Sequence, residues 1–147
     1  MLENEAIRQI LPHRYPMLLV DKVLELTPCQ RCVGIKEVTG NEWLVAIGGG
    51  RKIFPNTLVI EAMAQIGGMP MHTPETPAAL MVGLEAFEFD GFVGPGDTIR
   101  IEGQILWHRS KLFKASVEAC TGSGFQARGS ILYASLTLDD SRAEVPK

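Results

Sequence analysis

The sequence predicts an α+β domain in which one long helix is wrapped by an antiparallel sheet of five or six strands. Three features carry this expectation. Residues 53–68, IFPNTLVIEAMAQIGG, are apolar nearly all round and run from Thr57 to Gly67 without a helix breaker. Beyond residue 98 the hydrophobic period drops to two, the spacing of a half-buried strand. Turn signals at Gly40-Asn41, GPGD (94–97) and TGSG (121–124) make the connections short, which favours antiparallel pairing.

The elements follow in order. LENEAIRQIL reads as an opening helix stopped by Pro12. MLLVDKVLEL is a buried strand or its approach, and CQRCVGIKEV is a second strand. WLVAI is a short apolar run, and GGGRK reads as loop. Pro55-Asn56 begins the long helix with asparagine as the expected N-cap, and Gly67-Gly68 ends it before the proline-rich loop PMHTPETP. AALMVGLEAFEF is a strand. Ile99, Ile101, Gly103 and Ile105 then alternate with polar residues, as do Phe113, Ala115, Val117 and Ala119. GFQARGSILYASLTL is a last long strand whose apolar register shifts near Ile131-Leu132, as a bulge in it would produce. Residues 139–147 are a loose polar tail, so residues 1–147 form one domain.

A net charge of −3 leaves no footprint for nucleic acid or for an anionic membrane surface. No apolar run reaches membrane-spanning length and MLENEAIRQ is unlike a signal peptide, so the cytosol is the default expectation. Three cysteines, an odd number, fit a reducing compartment. Cys29 and Cys32 make a CxxC, but no second pair exists to complete a zinc site, and the segment runs into a strand rather than a helix. They are expected to be strand cysteines, with no metal site.

Glu61 and Gln65 interrupt the apolar helix four residues apart, hence on one face. A buried carboxylate must be paired, hydrogen-bonded or used. Two readings stand side by side: a core glutamate satisfied by Gln65 and backbone groups, or a reaction centre. The helix start at Asn56 adds unpaired first-turn N–H groups that can polarise a carbonyl, which suits the second.

Three segments in order resemble the signatures of bacterial (3R)-hydroxyacyl-ACP dehydratases: LPHRYPMLLVDKVLEL (11–26), LVIEAMAQIGG (58–68) and FVGPGDTIRIE (92–102). The resemblance spans about residues 5–138. It implies the hot-dog fold, a long helix wrapped by a curved antiparallel sheet, assembled as a dimer or a trimer of dimers. It also implies a site at the dimer interface, where a histidine of one subunit takes the α-carbon proton. An acid on the other subunit's helix helps the 3-hydroxyl leave as water, and a backbone N–H at the helix start holds the thioester carbonyl. Carried over, Glu61 is the acid, Gln65 its helical neighbour, and Asn56 the carbonyl-holding position, where the family usually has glycine. The substrate would arrive on the phosphopantetheine of an acyl carrier protein or of coenzyme A, and no other cofactor is implied.

The histidine of that pattern falls at Ile47 counting back from Glu61, or at Gly48 counting forward from VTGNEW. No histidine occurs between His13 and His72. By the resemblance, His13 in LPHRYP is structural, and neither His72 nor His108 is placed near Glu61. The stretch before the PGD turn, often basic in the family, carries Glu88 and Asp90 here, with Arg51, Lys52, Arg109, Lys111 and Lys114 as the remaining candidates for a basic rim. Three expectations follow. The chain completes a dehydratase site with a histidine-bearing homologue as heterodimer partner; or it is a hot-dog thioesterase using Glu61 and the helix start; or it binds acyl chains without turnover.

Overall fold

The computed structural model of the chain describes residues 1–42, 45–48, 50–74, 76 and 78–136, with residues 46–48 described by their backbone alone. The expected WLVAI run and the 139–147 tail lie wholly or partly outside them. Helix α1 (Asn4–Ile10) is followed by β1 (Lys22–Thr27), β2 (Arg31–Glu37), β3 (Ala46–Gly48) and β4 (Arg51–Ile53). Helix α2 (Asn56–Gly68) runs into a 3₁₀ turn at Met69–Met71, and β5 (Ala78–Asp90), β6 (Thr98–Arg109), β7 (Leu112–Thr121) and β8 (Gln126–Leu136) complete the chain.

Six strands make one antiparallel sheet in the order β1-β2-β6-β7-β8-β5, and β3 with β4 form a separate hairpin. The period-two pattern decides which face meets the helix. Ile99 and Ile101 of β6, Phe113, Ala115 and Val117 of β7, and Ile131 and Tyr133 of β8 all point inward and are buried. Against them lie Val59, Ala62, Met63 and Ile66 of α2, also buried. Helix and sheet touch backbone to backbone: a Cβ on Gly103 would stand 2.7 Å from the Cα of Gly67. Only glycine at 103 allows that approach, and a Cβ on Gly67 would in turn meet the Tyr133 hydroxyl at 2.6 Å.

Four expectations need correction. GGGRK is not loop: Ile47 pairs with Lys52 and Gly48 with Arg51 across a turn where Gly50 adopts φ +77°. Glycine closes a tight hairpin as readily as it breaks a strand. Asn56 is not the N-cap but the first helical residue. Pro55 is the cap, because its carbonyl already accepts from the N–H groups of Leu58 (2.9 Å) and Val59 (3.1 Å). The bulge near Ile131-Leu132 lies on the partner strand: Tyr133 pairs with Met81 and Leu132 with Gly83, so the extra residue is Val82 of β5, while β8 pairs with β7 without a shift. Of the two CxxC cysteines only Cys32 is on a strand; Cys29 sits at φ 59° in the β1–β2 turn. Cys32 faces Met69 Sδ at 3.8 Å, and burial pushes its thiol up to about 12, with the charge of Glu25 acting in the same direction.

No helix among the described residues is long and apolar enough to cross a membrane, and none of their His, Cys, Asp and Glu side chains cluster as a metal site would need.

Candidate active site

The central acid is positioned by a segment far away in sequence. Helix α1 stops at Leu11, whose N–H donates to Ile7 O at 2.8 Å, and Pro12 prevents its continuation. Arg14 then ties the following loop, donating to the carbonyls of Leu11 (2.8 Å), His13 (2.6 Å) and Arg8 (3.1 Å). The N–H groups of Met17 and Leu18 return to Arg14 O and close a turn. This knot lays residues 13–19 beside α2.

Gln65, only 3% exposed, receives that segment. Its Oε1 accepts from Leu19 N–H at 3.0 Å, and its Nε2 donates both to Met17 O at 2.7 Å and to Glu61 Oε1 at 2.8 Å. Acceptor and donor ends are thus each committed, which fixes the amide's orientation. One turn earlier, Glu61 keeps 22% of its side chain exposed. His13 Nε2 lies 3.4 Å from the same Oε1. The acid is therefore held on one side and open on the other.

Its open side faces a cavity of about 200 Å³, lined by Ile10, His13, Glu61, Gln65, Met71 and His72 and closed laterally by residues 78–81 of β5. Tyr133 also borders it and donates its hydroxyl to Ala64 O at 2.9 Å. Burial, reinforced by the charge of Glu61, holds that phenol well above its ordinary range, so it remains a donor and not a base.

Of the residues expected from sequence, the structure brings Glu61 and Gln65 together. Asn56 stands more than one turn away at the start of α2, outside the cavity lining, where the N–H groups of Asn56 and Thr57 have no partner within the helix. Ile47 and Gly48 lie on β3, opposite Lys52 and Arg51. His108 is remote from the cavity lining and contacts Ser110 O at 2.7 Å. Sequence reasoning gave His13 a structural role and did not place His72 near Glu61, whereas both line its cavity; Arg14 and Tyr133 it did not single out. The only signal for His13 and Arg14 was the LPHRYP segment itself, and only tertiary folding sets it against Glu61.

A central helix laid against a six-stranded antiparallel sheet, with a carboxyl group at a lateral cavity, defines a hot-dog-fold protein. Two similar solved structures agree: the dehydratase heterocomplex ApeI:P of Xenorhabdus doucetiae (TM-score 0.75, 17% identity, 92% of this chain and 93% of that one) and the uncharacterized protein PH1136 of Pyrococcus horikoshii (TM-score 0.68, 13% identity, 92% and 95%). At such identities the likeness concerns the fold alone. The chain belongs to the FabA-like domain family, whose model matches residues 11–124. Among curated relatives, the 3-hydroxyacyl-[acyl-carrier-protein] dehydratase FabZ of Desulforamulus reducens is 42% identical over 138 residues, covering 91% of this chain and 97% of its own. The protein of the same name from Thermomicrobium roseum is 40% identical over 148 residues, covering 97% and 98%.

Proposed function

We propose that this chain is a subunit of a 3-hydroxyacyl-[acyl-carrier-protein] dehydratase, in which Glu61 is the acid and a partner chain supplies the base. The observation that carries the reading is the Glu61 carboxylate, pinned through Oε1 by Gln65 yet open to a cavity. High identity to the FabZ dehydratases over almost the full chain supports it.

In the proposed reaction a base removes the proton on the carbon next to the thioester carbonyl, and the carbonyl oxygen takes up the negative charge. First-turn N–H groups of α2, beginning at Asn56, stabilise that charge. Glu61 gives its proton to the 3-hydroxyl, the carbon–oxygen bond breaks, and water and the 2-enoyl thioester leave. Gln65 orients Glu61 and touches no reacting atom. The positions that correspond to the family's histidine, Ile47 and Gly48, carry no titratable group, so the proton acceptor comes from a histidine-bearing homologue.

A shared site needs an interface, and β5 is suited to it. It is an edge strand whose Leu80, Met81, Val82 and Leu84 are 52%, 42%, 51% and 47% exposed. A long apolar edge invites pairing with another strand. Residues 78–81 also wall the cavity, so a second subunit docked there would cover the site.

The test is hydration of a 2-enoyl thioester by the purified chain, alone and mixed with a histidine-bearing homologue. Activity is expected only in the mixture and is lost on Glu61→Gln. Equal activity without the homologue overturns partner dependence. Release of free thiol instead of hydration identifies a thioesterase, and a co-purifying acyl ligand with no turnover identifies a binding protein.

A further inference from the structure

We propose that His13 is a positioning residue for Glu61: it presents an Nε2–H to Oε1 and, with Gln65, commits that oxygen, leaving Oε2 to meet the substrate. The proposal rests on the dehydratase reading for its catalytic consequence and on geometry alone for its structural one.

Both contacts to the carboxylate fall on the same atom, Gln65 Nε2 at 2.8 Å and His13 Nε2 at 3.4 Å from Oε1. The tautomer follows from the other ring nitrogen. His13 Nδ1 is fully buried and has no hydrogen-bond partner among the described residues. A buried N–H without an acceptor is costlier than a bare acceptor nitrogen, so the proton belongs on Nε2, where a carboxylate oxygen faces it. The backbone that carries the ring is itself fixed, because Arg14 donates to the His13 carbonyl at 2.6 Å. The 3.4 Å separation exceeds the usual 2.7–3.2 Å of an N–H···O bond, and such contacts tighten when a site is occupied. His13 is not itself the base. Its Nε2 is turned to Glu61 and its Nδ1 is sealed from the cavity. His72 lines the cavity too, but it lies beyond the C-terminal end of α2 and its 3₁₀ turn, at the opposite end of the helix from the N–H groups proposed to hold the carbonyl.

Two arms test this on the full-length chain. In the first, ¹⁵N-labelled histidine is followed by two-dimensional multiple-bond NMR, with His13 assigned by the signals missing from His13→Gln. A protonated Nε2, a bare Nδ1, and a shift of the Nε2 signal on Glu61→Gln are expected. A proton on Nδ1, or an Nε2 signal indifferent to Glu61→Gln, overturns the proposal. In the second, a pantetheine 2-butenoyl thioester is hydrated by the chain with its histidine-bearing homologue. His13→Ala lowers kcat by about tenfold with KM unchanged, the size of one lost hydrogen bond. His13→Gln, whose amide nitrogen stands where Nε2 stood, recovers most of that loss, and His13→Asn, whose amide stands where Nδ1 stood, does not. Within a Glu61→Gln background His13→Ala has no further effect. Equal kcat for the Gln and Asn variants overturns the role, and that pair still decides if the alanine variant does not fold. Should the unsubstituted mixture turn over nothing, the dehydratase reading fails while the NMR arm still decides His13.

Discussion

The two halves of helix α2 are finished differently. From Ala62 to Gly67 every residue is buried, and Gly67 is pressed so closely on Gly103 that no side chain fits between them. In residues 56–61 only Val59 is buried; Asn56, Leu58, Ile60 and Glu61 remain partly exposed and Thr57 is exposed. The second half packs its apolar surface on its own sheet, while Ala64, Gln65 and Gly68 also border the cavity. The first half keeps apolar side chains and an acid partly uncovered, the condition in which a ligand or a second chain finds something to bind. Core and site thus meet along one helix, with Glu61 at the boundary.

The comparison breaks most visibly at the acid. Glu61→Gln lowers dehydratase activity of the complete complex by at least about a hundredfold, the contribution of one general acid. Its melting temperature stays within a few degrees of the parent, because Gln65 can still bond to an amide oxygen in place of Oε1. A comparable loss of stability without loss of activity would place Glu61 with the structural half.

Gly103→Val attacks the sealed half. Its branched side chain cannot fit beside Gly67, so the helix must lift from the sheet at a cost of about 3 kcal/mol, or roughly 10 °C of melting temperature. Strand propensity alone predicts the opposite sign, since valine outranks glycine there. Gln65→Leu comes next. It leaves Leu19 N–H and Met17 O without their partner and frees Glu61, costing about 2 kcal/mol in chemical denaturation. Because it also disorders the acid, kcat should fall while KM holds.

Val82→Lys on the apolar edge of β5 probes whether a second chain covers the open half. Light scattering should report a shift from dimer to monomer, with the fold retained by circular dichroism, since Val82 is 51% exposed and supports no core. An unchanged molar mass would move the interface elsewhere. The smallest effect lies on the outer face of the sheet. The hydrogen bond from Arg31 at 2.7 Å holds the Glu102 carboxyl below its ordinary range, against a smaller opposing effect of burial. Its folded value being depressed, the pair stabilises above the ordinary glutamate range, near pH 4.3, and its contribution disappears as pH falls through the lowered value. Glu102→Gln should therefore reduce the melting temperature slightly at neutral pH and not at all in stronger acid.

Legibility followed the range of the interactions. The alternation in β6 and β7, the stop at Pro12 and the i, i+4 pairing of Glu61 with Gln65 are local and could be read directly. The glycines at 48 and 50 were ambiguous, because a residue that breaks a strand also turns a hairpin, and only pairing of Ile47 with Lys52 decides between the two. The bulge was read on the wrong strand for a similar reason: pairing involves two strands, and the extra residue proved to be Val82 on the partner.

By itself the sequence determined the α+β class, the antiparallel order of its last strands, the apolar helix and the presence of an acid on it. Each of these depends on residue types a few positions apart, where periodicity and chain stiffness act. Tertiary structure alone decided that Gln65 reaches back to Met17 and Leu19, that His13 meets Glu61, and which residues of the helix are sealed. These are contacts between segments more than forty residues apart, whose meeting depends on how the sheet curls and not on any pattern along the chain.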